Sequence, residues 1–310
     1  MFQGMRYVLA VWQEGSFSRA AEKLFISQPS LSASIRREEE AVGAPIFDRS
    51  VKPLKLTPCG EEYVRAAEQI LSVQQQFDTY LNDTGELKTG SLAIGGSNLY
   101  ASWVLPELLS RFSSRYPGIK IELTEESSRE LEHLLQNGTI DLMLDNTALD
   151  PSVYDRQIYR EETLLLAVPE EFPVNQAQKS RQIPLEAVLD GSFHSSRFSP
   201  ASLQAFRGIP FILMKPDNDT GERAIAICRE NAFQPKVLFR LDQQMTSYNI
   251  AISGMGAAFI SDTLIRQVPF RGRIALYKLD SQHTRRHLSF WWKRGRYQSK
   301  AMQAFLESCR

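Results

Sequence analysis

GSFSRAAEKLFISQPSLSASIRREEEAVGAPIFDRSVKPLKLTPCG, residues 15–60, decides how the rest of the chain is read. It contains two helix starts in quick succession. Ser18 can serve as an N-cap, with Ala20, Ala21 and Leu24 forming a small apolar face behind it. Phe25, Ile26 and Ser27 interrupt the pattern. Ser27 then caps a second helix that carries Pro29 in its first turn, where a missing N–H costs nothing. Ala21, Leu24, Ile26, Leu31 and Ile35 supply an inner face. Two short helices on a tight turn outline a helix-turn-helix, whose second helix can enter the DNA major groove. An ordinary αα-hairpin with a hydroxyl-rich face fits the same periodicity. The outward positions of the second helix are Gln28, Ser30, Ser32, Ala33 and Arg36. Gln can contact adenine bidentately, Ser reaches bases or phosphates, and Arg reaches guanine or phosphate.

The residues after Arg37 favour the helix-turn-helix. Glu38 to Gly43 completes the helix, with Gly43 suited to a left-handed C-cap. Ala44 to Arg49, a turn and Val51 to Pro58 then predict a two-stranded wing with basic residues at its tip, able to lie along a phosphate backbone. The segment resembles the winged helix-turn-helix of LysR-type transcriptional regulators. GSFSRAAEKLFISQPSLSASIRR, GAPIFDRS and LKLTPCGEEYV each match a signature of that family, in order and spacing. The resemblance implies a groove-facing role for Ser27, Gln28, Pro29, Ser30, Ser32 and Arg36, and a wing role for Arg49, Lys52 and Pro53. Three positions depart from the pattern. Ala33 stands where the family often has Arg, Glu38 where an apolar residue is usual, and Cys59 where Ala is common.

A chain of 310 residues with 43% hydrophobic and 23% charged residues has the length of two or three domains and ample material for their cores. Net charge is zero, and residues 1–60 hold eight Lys or Arg against six Asp or Glu, a surplus of two. Affinity for DNA would then depend on geometry and on having two copies more than on a large basic field. The N-terminus has no apolar targeting segment and no run approaches a membrane span, which predicts a cytoplasmic protein. Cys59, Cys228 and Cys309 are odd in number, far apart and without metal spacing.

Phe2 to Gln13 predicts a first helix that packs Met5, Leu9 and Trp12 behind the two-helix unit. From Pro58 a long helix reaches about Leu81, with Tyr63, Ala66, Ile70, Val73, Phe77 and Tyr80 at alternating steps of 3 and 4. That narrow seam calls for the same helix of a second subunit, or else for the chain's own following domain. The expected dimerisation residues are Tyr63, Ala66, Ile70, Val73 and Phe77. A twofold dimer presents two recognition helices and predicts an inverted-repeat operator. Residues 82–89 read as a polar hinge.

After Gly90, strands alternate with helices: strands at 91–95, 119–123 and 140–144, helices at 100–114 and 128–136. This βαβαβ order predicts a parallel doubly wound α/β sheet. A strand at 163–168 leads away, a second such unit comes next, and strands at 273–279 and 287–292 return before a last helix from Ser299. Two α/β subdomains joined by paired crossovers resemble the periplasmic-binding-protein-like effector domain of the same family. The predicted organisation is a DNA-binding domain at 1–58, a dimerisation helix and hinge at 59–89, and an effector domain at 90–310. Within the last, subdomain I covers 90–162 and 269–310 and subdomain II covers 163–268.

Ligands of open α/β sheets bind beyond the carboxyl ends of the strands, so the cleft between subdomains is the expected site. Those ends offer Ser97, Asn98, Thr124, Ser127, Ser128 and Asn146 from the first subdomain. The second offers Lys215, Asn218, Thr220, Thr246 and Ser247. Hydroxyls and free N–H groups at helix starts suit a small carboxylate, with Lys215 as the full positive charge, although simple N-caps use the same residues. Enzyme readings find little support. His133, His194, His283 and His287 are scattered, and no catalytic triad order, phosphate loop, dinucleotide fingerprint or metal spacing occurs. The basic cluster Arg285, Arg286, Lys293, Arg294 and Arg296 reads as a solvated edge, though it could touch DNA. The resulting expectation is a ligand-responsive DNA-binding regulator without cofactor, a homodimer that assembles into a homotetramer. Ligand closure would alter DNA bending or contact with RNA polymerase.

Overall fold

Three short helices enclose a small apolar core at the start of the chain. In the computed structural model, which describes residues 2–51, 53–82, 90–269 and 272–310, α1 (Met5–Glu14) turns Met5, Val8, Leu9 and Val11 inward. Helix α2 (Phe17–Lys23) buries Ala20 and Ala21, and α3 (Gln28–Val42) buries Leu31 and Ile35. The cap of α2 is Ser16 and not the predicted Ser18: Ser16 has the extended backbone of an N-cap and accepts a long bond from the Arg19 amide, 3.5 Å. Phe25 makes the turn with a left-handed backbone, φ 54°, and its ring is 96% exposed. Ser27 caps α3 by accepting from the Ser30 amide at 3.3 Å, and Gly43 ends it with φ 81°.

Glu38, an acidic residue at a position where the resemblance leads one to expect an apolar one, is buried. Its carboxylate accepts from the amides of Phe2 (2.9 Å) and Gly4 (2.7 Å) and from the Tyr63 hydroxyl (2.8 Å). It thereby satisfies donors that the start of α1 would leave unpaired, and it joins α1, α3 and α4 (Pro58–Asn82) at one point. Burial pushes the carboxyl pKa up, but the bonds from Gly4, Tyr63 and Phe2 outweigh it and hold the group below its ordinary value. A Cβ on Gly4 would lie 2.7 Å from Glu38 Cγ, so the close approach itself requires glycine. Glu38→Ala is expected to strip this joint of about 2–3 kcal/mol, the value of charge-assisted bonds whose donors stay buried. Hydrogen exchange of the α1 and α3 amides should then be roughly 30- to 150-fold faster.

Strands β1 (Phe47–Asp48) and β2 (Lys55–Leu56) pair antiparallel as the wing. The wing packs directly on the start of α4, where a Cβ on Gly60 would fall 2.0 Å from the Ile46 carbonyl oxygen. Helix α4 divides along its length. Tyr63, Val64 and Ala67 belong to the core of the first compact unit, Met1–Leu81, with Ile70 and Leu71 against its edge. Tyr63 is only 4% exposed, which removes it from the predicted intersubunit seam, whereas Val73 and Phe77 are 66% and 60% exposed. Of the hinge expected at 82–89, Asn82 is the last residue of α4, and the rest lies outside the described residues, as does Lys52.

The second unit, Asn82–Arg310, is built on a continuous run of ten strands that divides into two sheets through one shared strand. In the first, β3 (Gly90–Gly96), β4 (Ile119–Glu125) and β5 (Leu142–Asp145) run parallel in the order β4-β3-β5. Helices α5 (Asn98–Trp103), α6 (Leu105–Arg115) and α7 (Ser128–Asn137) connect them. The single helix expected at 100–114 is broken at Val104, because Pro106 lacks the N–H that would continue the ladder. Strand β6 (Tyr154–Pro169) is partly exposed at first and buried at every residue from Glu162 on. There it passes from the first sheet into the second.

Short elements come next: α8 (Val174–Ala177), β7 (Gln182–Ile183) and α9 (Leu185–Leu189). The parallel strands β8 (Pro210–Met214), β9 (Lys236–Leu241) and β10 (Ala257–Ser261) form the second sheet with the end of β6. Its helices are α10 (Asp219–Glu230), α11 (Gln244–Ile252) and α12 (Asp262–Gln267). Strand β11 (Ile274–Tyr277) pairs with β6 and β7 in this second sheet. The return to the first subdomain therefore comes at β12 (Arg285–Lys293), which pairs with β5 and β6, and not at residue 269. Helix α13 (Lys300–Ser308), capped by Ser299, seats Phe305 on Phe112 and Phe290.

Candidate functional site

The first unit presents an open groove of about 580 Å³ between α3 and the wing. Gln28, Ser32, Arg36, Arg49 and Pro53 line it, so the structure brings five of the predicted contact residues onto one surface. Gln28 Nε2 donates to Ser32 Oγ at 3.0 Å, which holds both side chains in a fixed relation. Ser27, Pro29 and Ser30 are exposed at the helix start but stand off the groove, and the Ser27 hydroxyl also bonds Ser30 Oγ at 2.8 Å. Arg49 is positioned twice, by an ion pair with Glu39 at 2.9 Å and by its place 5.2 Å over the Phe17 ring. Glu39 also accepts from the amides of Ile46 (3.0 Å) and Phe47 (3.4 Å), which ties the wing to α3. The arrangement is a helix with hydrogen-bonding side chains facing out and a guanidinium at each flank, suited to a groove edge and its phosphates.

In the second unit a cavity of about 190 Å³ lies between the two sheets, beyond the carboxyl ends of their parallel strands. Ser97, Ser127, Ser128, Asn146, Asn218 and Thr220 line it, as predicted. Asn98, Thr124, Lys215, Thr246 and Ser247 do not. Asn98 donates to Glu125 at 2.7 Å, Lys215 is exposed and pairs with Asp242 at 2.8 Å, and Ser247 is buried. Cap and lining roles coincide at two positions. Ser127 accepts from the Glu130 amide at 3.3 Å and Asn218 from the Thr220 amide at 2.9 Å, so α7 and α10 both start at the cavity. Ser128 Oγ donates to the buried Asp145 at 3.1 Å. Burial raises the Asp145 carboxyl pKa against the hydrogen bonds it accepts.

A charged network forms the floor. Arg286 is buried, and its Nε donates to Glu162 at 2.6 Å while Nη1 donates to Asp219 at 2.7 Å and to Thr220 Oγ1 at 2.8 Å. The Tyr100 hydroxyl donates to Glu162 at 3.0 Å and accepts from Asn146 Nδ2 at 2.5 Å. Gln244 Nε2 reaches Thr220 at 3.2 Å from the far side. Burial alone would raise the Glu162 pKa, but the Arg286 charge and the bonds from Arg286 and Tyr100 bring it below the ordinary carboxylate value. For Arg286 burial works the other way, and Glu162, Tyr100 and Asp219 overcome it to raise the pKa. The network joins both subdomains under the cavity, so any change in their separation must rearrange it. Tyr100, Glu162, Gln244 and Arg286 were not legible as site residues. The solvated edge predicted for the basic cluster holds for the exposed Arg285, but Arg286 is buried and the Arg296 side chain is only 8% exposed.

Residues 2–61 match the description "Bacterial regulatory helix-turn-helix protein, lysR family", and residues 85–310 match "LysR substrate binding domain". The chain belongs to the LysR family of transcriptional regulators. This LysR-type regulator has a helix-turn-helix DNA-binding domain and an effector-binding domain, and it is not an enzyme. It is 28% identical over 313 residues to the uncharacterized HTH-type transcriptional regulator YcgK of Bacillus subtilis, with 99% of this chain and 93% of that one covered. It is also 28% identical, over 310 residues, to a probable RuBisCO transcriptional regulator of Gracilaria tenuistipitata var. liui, covering 97% and 93%. Among solved structures, full-length OxyR from Pseudomonas aeruginosa superposes with a TM-score of 0.69 at 20% identity, covering 100% and 94%. Full-length CbnR in complex with its target DNA superposes at 0.65 and 18% identity, covering 100% and 99%. At these identities the LysR-type structures establish the shared fold. Among the described residues no helix is long and apolar enough to cross a membrane, and no group of side chains could hold a metal ion.

Proposed function

We propose that this LysR-type regulator reads an inverted-repeat operator with two copies of α3, one from each subunit of a homodimer, and that two such dimers form a homotetramer. The supporting observation is the set Gln28, Ser32 and Arg36, flanked by Arg49 and Pro53 on one open groove. Functionally the chain divides into a DNA-binding part at 1–58, a dimerisation helix and hinge at 59–89, and an effector-binding part from 90 on, and it works in the cytoplasm beside the genome. Val73 and Phe77, large and exposed on the outer half of α4, are the surface on which a second copy would pack, with Ala66 and Ile70 beside them.

The effector is a small organic acid in the cleft, its carboxylate at the starts of α7 and α10. Glu126, Asp217 and Asp242 on the same wall, against Arg129 alone, favour an acid that also carries hydrogen-bond donors. Its binding shifts the equilibrium between two arrangements of the tetramer by about 1–3 kcal/mol, and so the bend of the DNA or the contact with RNA polymerase. Footprinting on the DNA flanking the gene tests the reading: protection should fall in two half-sites about one helical turn apart. The pair Val73→Glu and Phe77→Glu is expected to sediment as a monomer and to lose that footprint. A dimeric double variant with an intact footprint would remove α4 as the pairing element.

A further inference from the structure

A groove of about 600 Å³, against about 190 Å³ for the effector cleft, opens where β6 leaves the first sheet for the second. Strands β6 and β12 put Glu162 opposite Arg286 and, one position on, Thr163 opposite Arg285. Successive side chains of a strand point to opposite faces. The first pair therefore makes the floor of the cleft, and the second lines the groove behind it. Lys278 follows β11 of the second sheet and Arg285 opens β12 of the first, so the groove spans the junction of the subdomains. Both cations stand on its wall without a counter-charge. Lys278 Nζ donates to the carbonyls of Phe193 (3.2 Å) and Ser195 (3.4 Å), which hold it in place and leave its charge unneutralised. The Arg285 side chain is exposed and has neither hydrogen bond nor ion pair among the described residues. Asp280 is the one carboxylate among the lining residues, and it pairs with neither cation. Thr163 is only 5% exposed, yet its hydroxyl has no partner among the described residues and is not sealed from solvent, so a ligand can reach it. Buried Leu279, with Phe198 and Pro200 half-buried, gives the groove an apolar side.

We infer that this groove is a second ligand site, taking a metabolite-sized anion that carries phosphate or carboxylate groups on a compact carbon body. The anionic groups pair with Lys278 and Arg285, both able partners for phosphate and carboxylate, while the carbon body covers Leu279 and Phe198. The volume falls within the range of roughly 300–1,000 Å³ that small-molecule sites occupy. No residue lines both this groove and the effector cleft, so the two sites are separate. They are nonetheless joined mechanically. Strand β6 carries Thr163 of the groove beside Glu162 of the charged network, and β12 carries Arg285 beside Arg286. Because the two cations belong to different subdomains, an anion held by both ties the subdomains together from behind the cleft and so bears on its floor.

The test titrates the full chain by calorimetry with citrate and, separately, with glycerol 3-phosphate, each against potassium chloride of equal ionic strength. The expected result is saturable binding of at least one of the two, glycerol 3-phosphate alone marking a phosphate site and citrate alone a carboxylate site. The midpoint should rise about threefold in Arg285→Gln and about tenfold in Lys278→Gln/Arg285→Gln, the scale of one and of two exposed ion pairs. Arg285→Gln alters a side chain without partners, so it stays readable even where Lys278→Gln loosens the segment that Lys278 holds. The midpoint should not move in Ser127→Ala, which alters only the cleft. Hydrogen exchange in the saturated protein should slow at the amides of residues 193–200 and 278–286. No saturable binding of either anion, an equal response to chloride, an unchanged midpoint in Arg285→Gln, a binding lost in Ser127→Ala, or protection confined to residues 126–130 and 217–221 would each overturn it.

Discussion

Arg286→Met is expected to destabilise the effector-binding unit by about 3–5 kcal/mol, a large share of a domain's ~5–15 kcal/mol. The reason is what the substitution leaves behind. Glu162, with its side chain fully buried, would lose its 2.6 Å partner and retain its charge, and Asp219 and Thr220 would lose a donor each. Arg286→Met/Glu162→Leu removes both charges and should stand closer to the parent than the single variant does, since a buried pair is worth little net against apolar replacements of similar size. Urea unfolding of the full chain and the two singles closes the cycle, and strictly additive effects would show that the pair is not coupled. Acid sharpens the comparison. In the parent the folded pKa of Glu162 is below its ordinary value, so its stabilisation is present above that value and is lost as pH falls through the folded pKa. In Arg286→Met the charge and the bond of Arg286 no longer oppose burial, and only the bonds from Thr263 and Tyr100 remain against it, so the Glu162 pKa moves up and protonation relieves the variant. The gap between the two proteins should therefore narrow as pH falls through the carboxylate range.

The second expectation concerns sequence reading. Gln28→Ala/Ser32→Ala removes the two groove-facing side chains that hold each other at 3.0 Å, and leaves Arg36, Arg49 and the helix core in place. A good bidentate base contact is worth about 1–3 kcal/mol of discrimination, and a dimer makes each contact twice. The preference for operator over random duplex should drop by at least ~30-fold. The slope of affinity against salt should not change, because that slope counts phosphate contacts and these are retained. Fluorescence anisotropy on matched duplexes at several salt concentrations measures both quantities. A preserved preference with a shallower slope would move the reading function away from Gln28 and Ser32.

Legibility in the sequence divides by the distance over which each contact acts. The second helix of the winged unit was legible because Ser27, Pro29 and Gly43 make it by local rules, and the error at its neighbour was to assign to Ser18 the cap that Ser16, two residues earlier, makes. Glu38 looked like a misfit because the partners that explain it, Phe2, Gly4 and Tyr63, are 36, 34 and 25 residues away. The cleft shows the same division. Ser127, Ser128, Asn218 and Thr220 stand where a strand end meets a helix start, which alternating patterns reveal. Glu162 and Arg286 are 124 residues apart and meet only because β12 lies antiparallel on β6 in one register. The basic run was visible, and Glu162 stands beside Glu161 just before the strand expected at 163–168, but nothing local pairs the two. Lys215 failed for the opposite reason: it comes after a strand as the rule requires, yet the nearer Asp242 takes it at 2.8 Å.

Paired copies of α3 reading two half-sites in one operator are the centre of the proposed mechanism. Selection of bound duplexes from a random pool by the full-length protein at moderate salt tests it most directly. The recovered sequences should converge on an inverted repeat whose halves are about one helical turn apart. Recovery of sequences without a shared repeat, or with a single half-site bound as tightly as two, would contradict it.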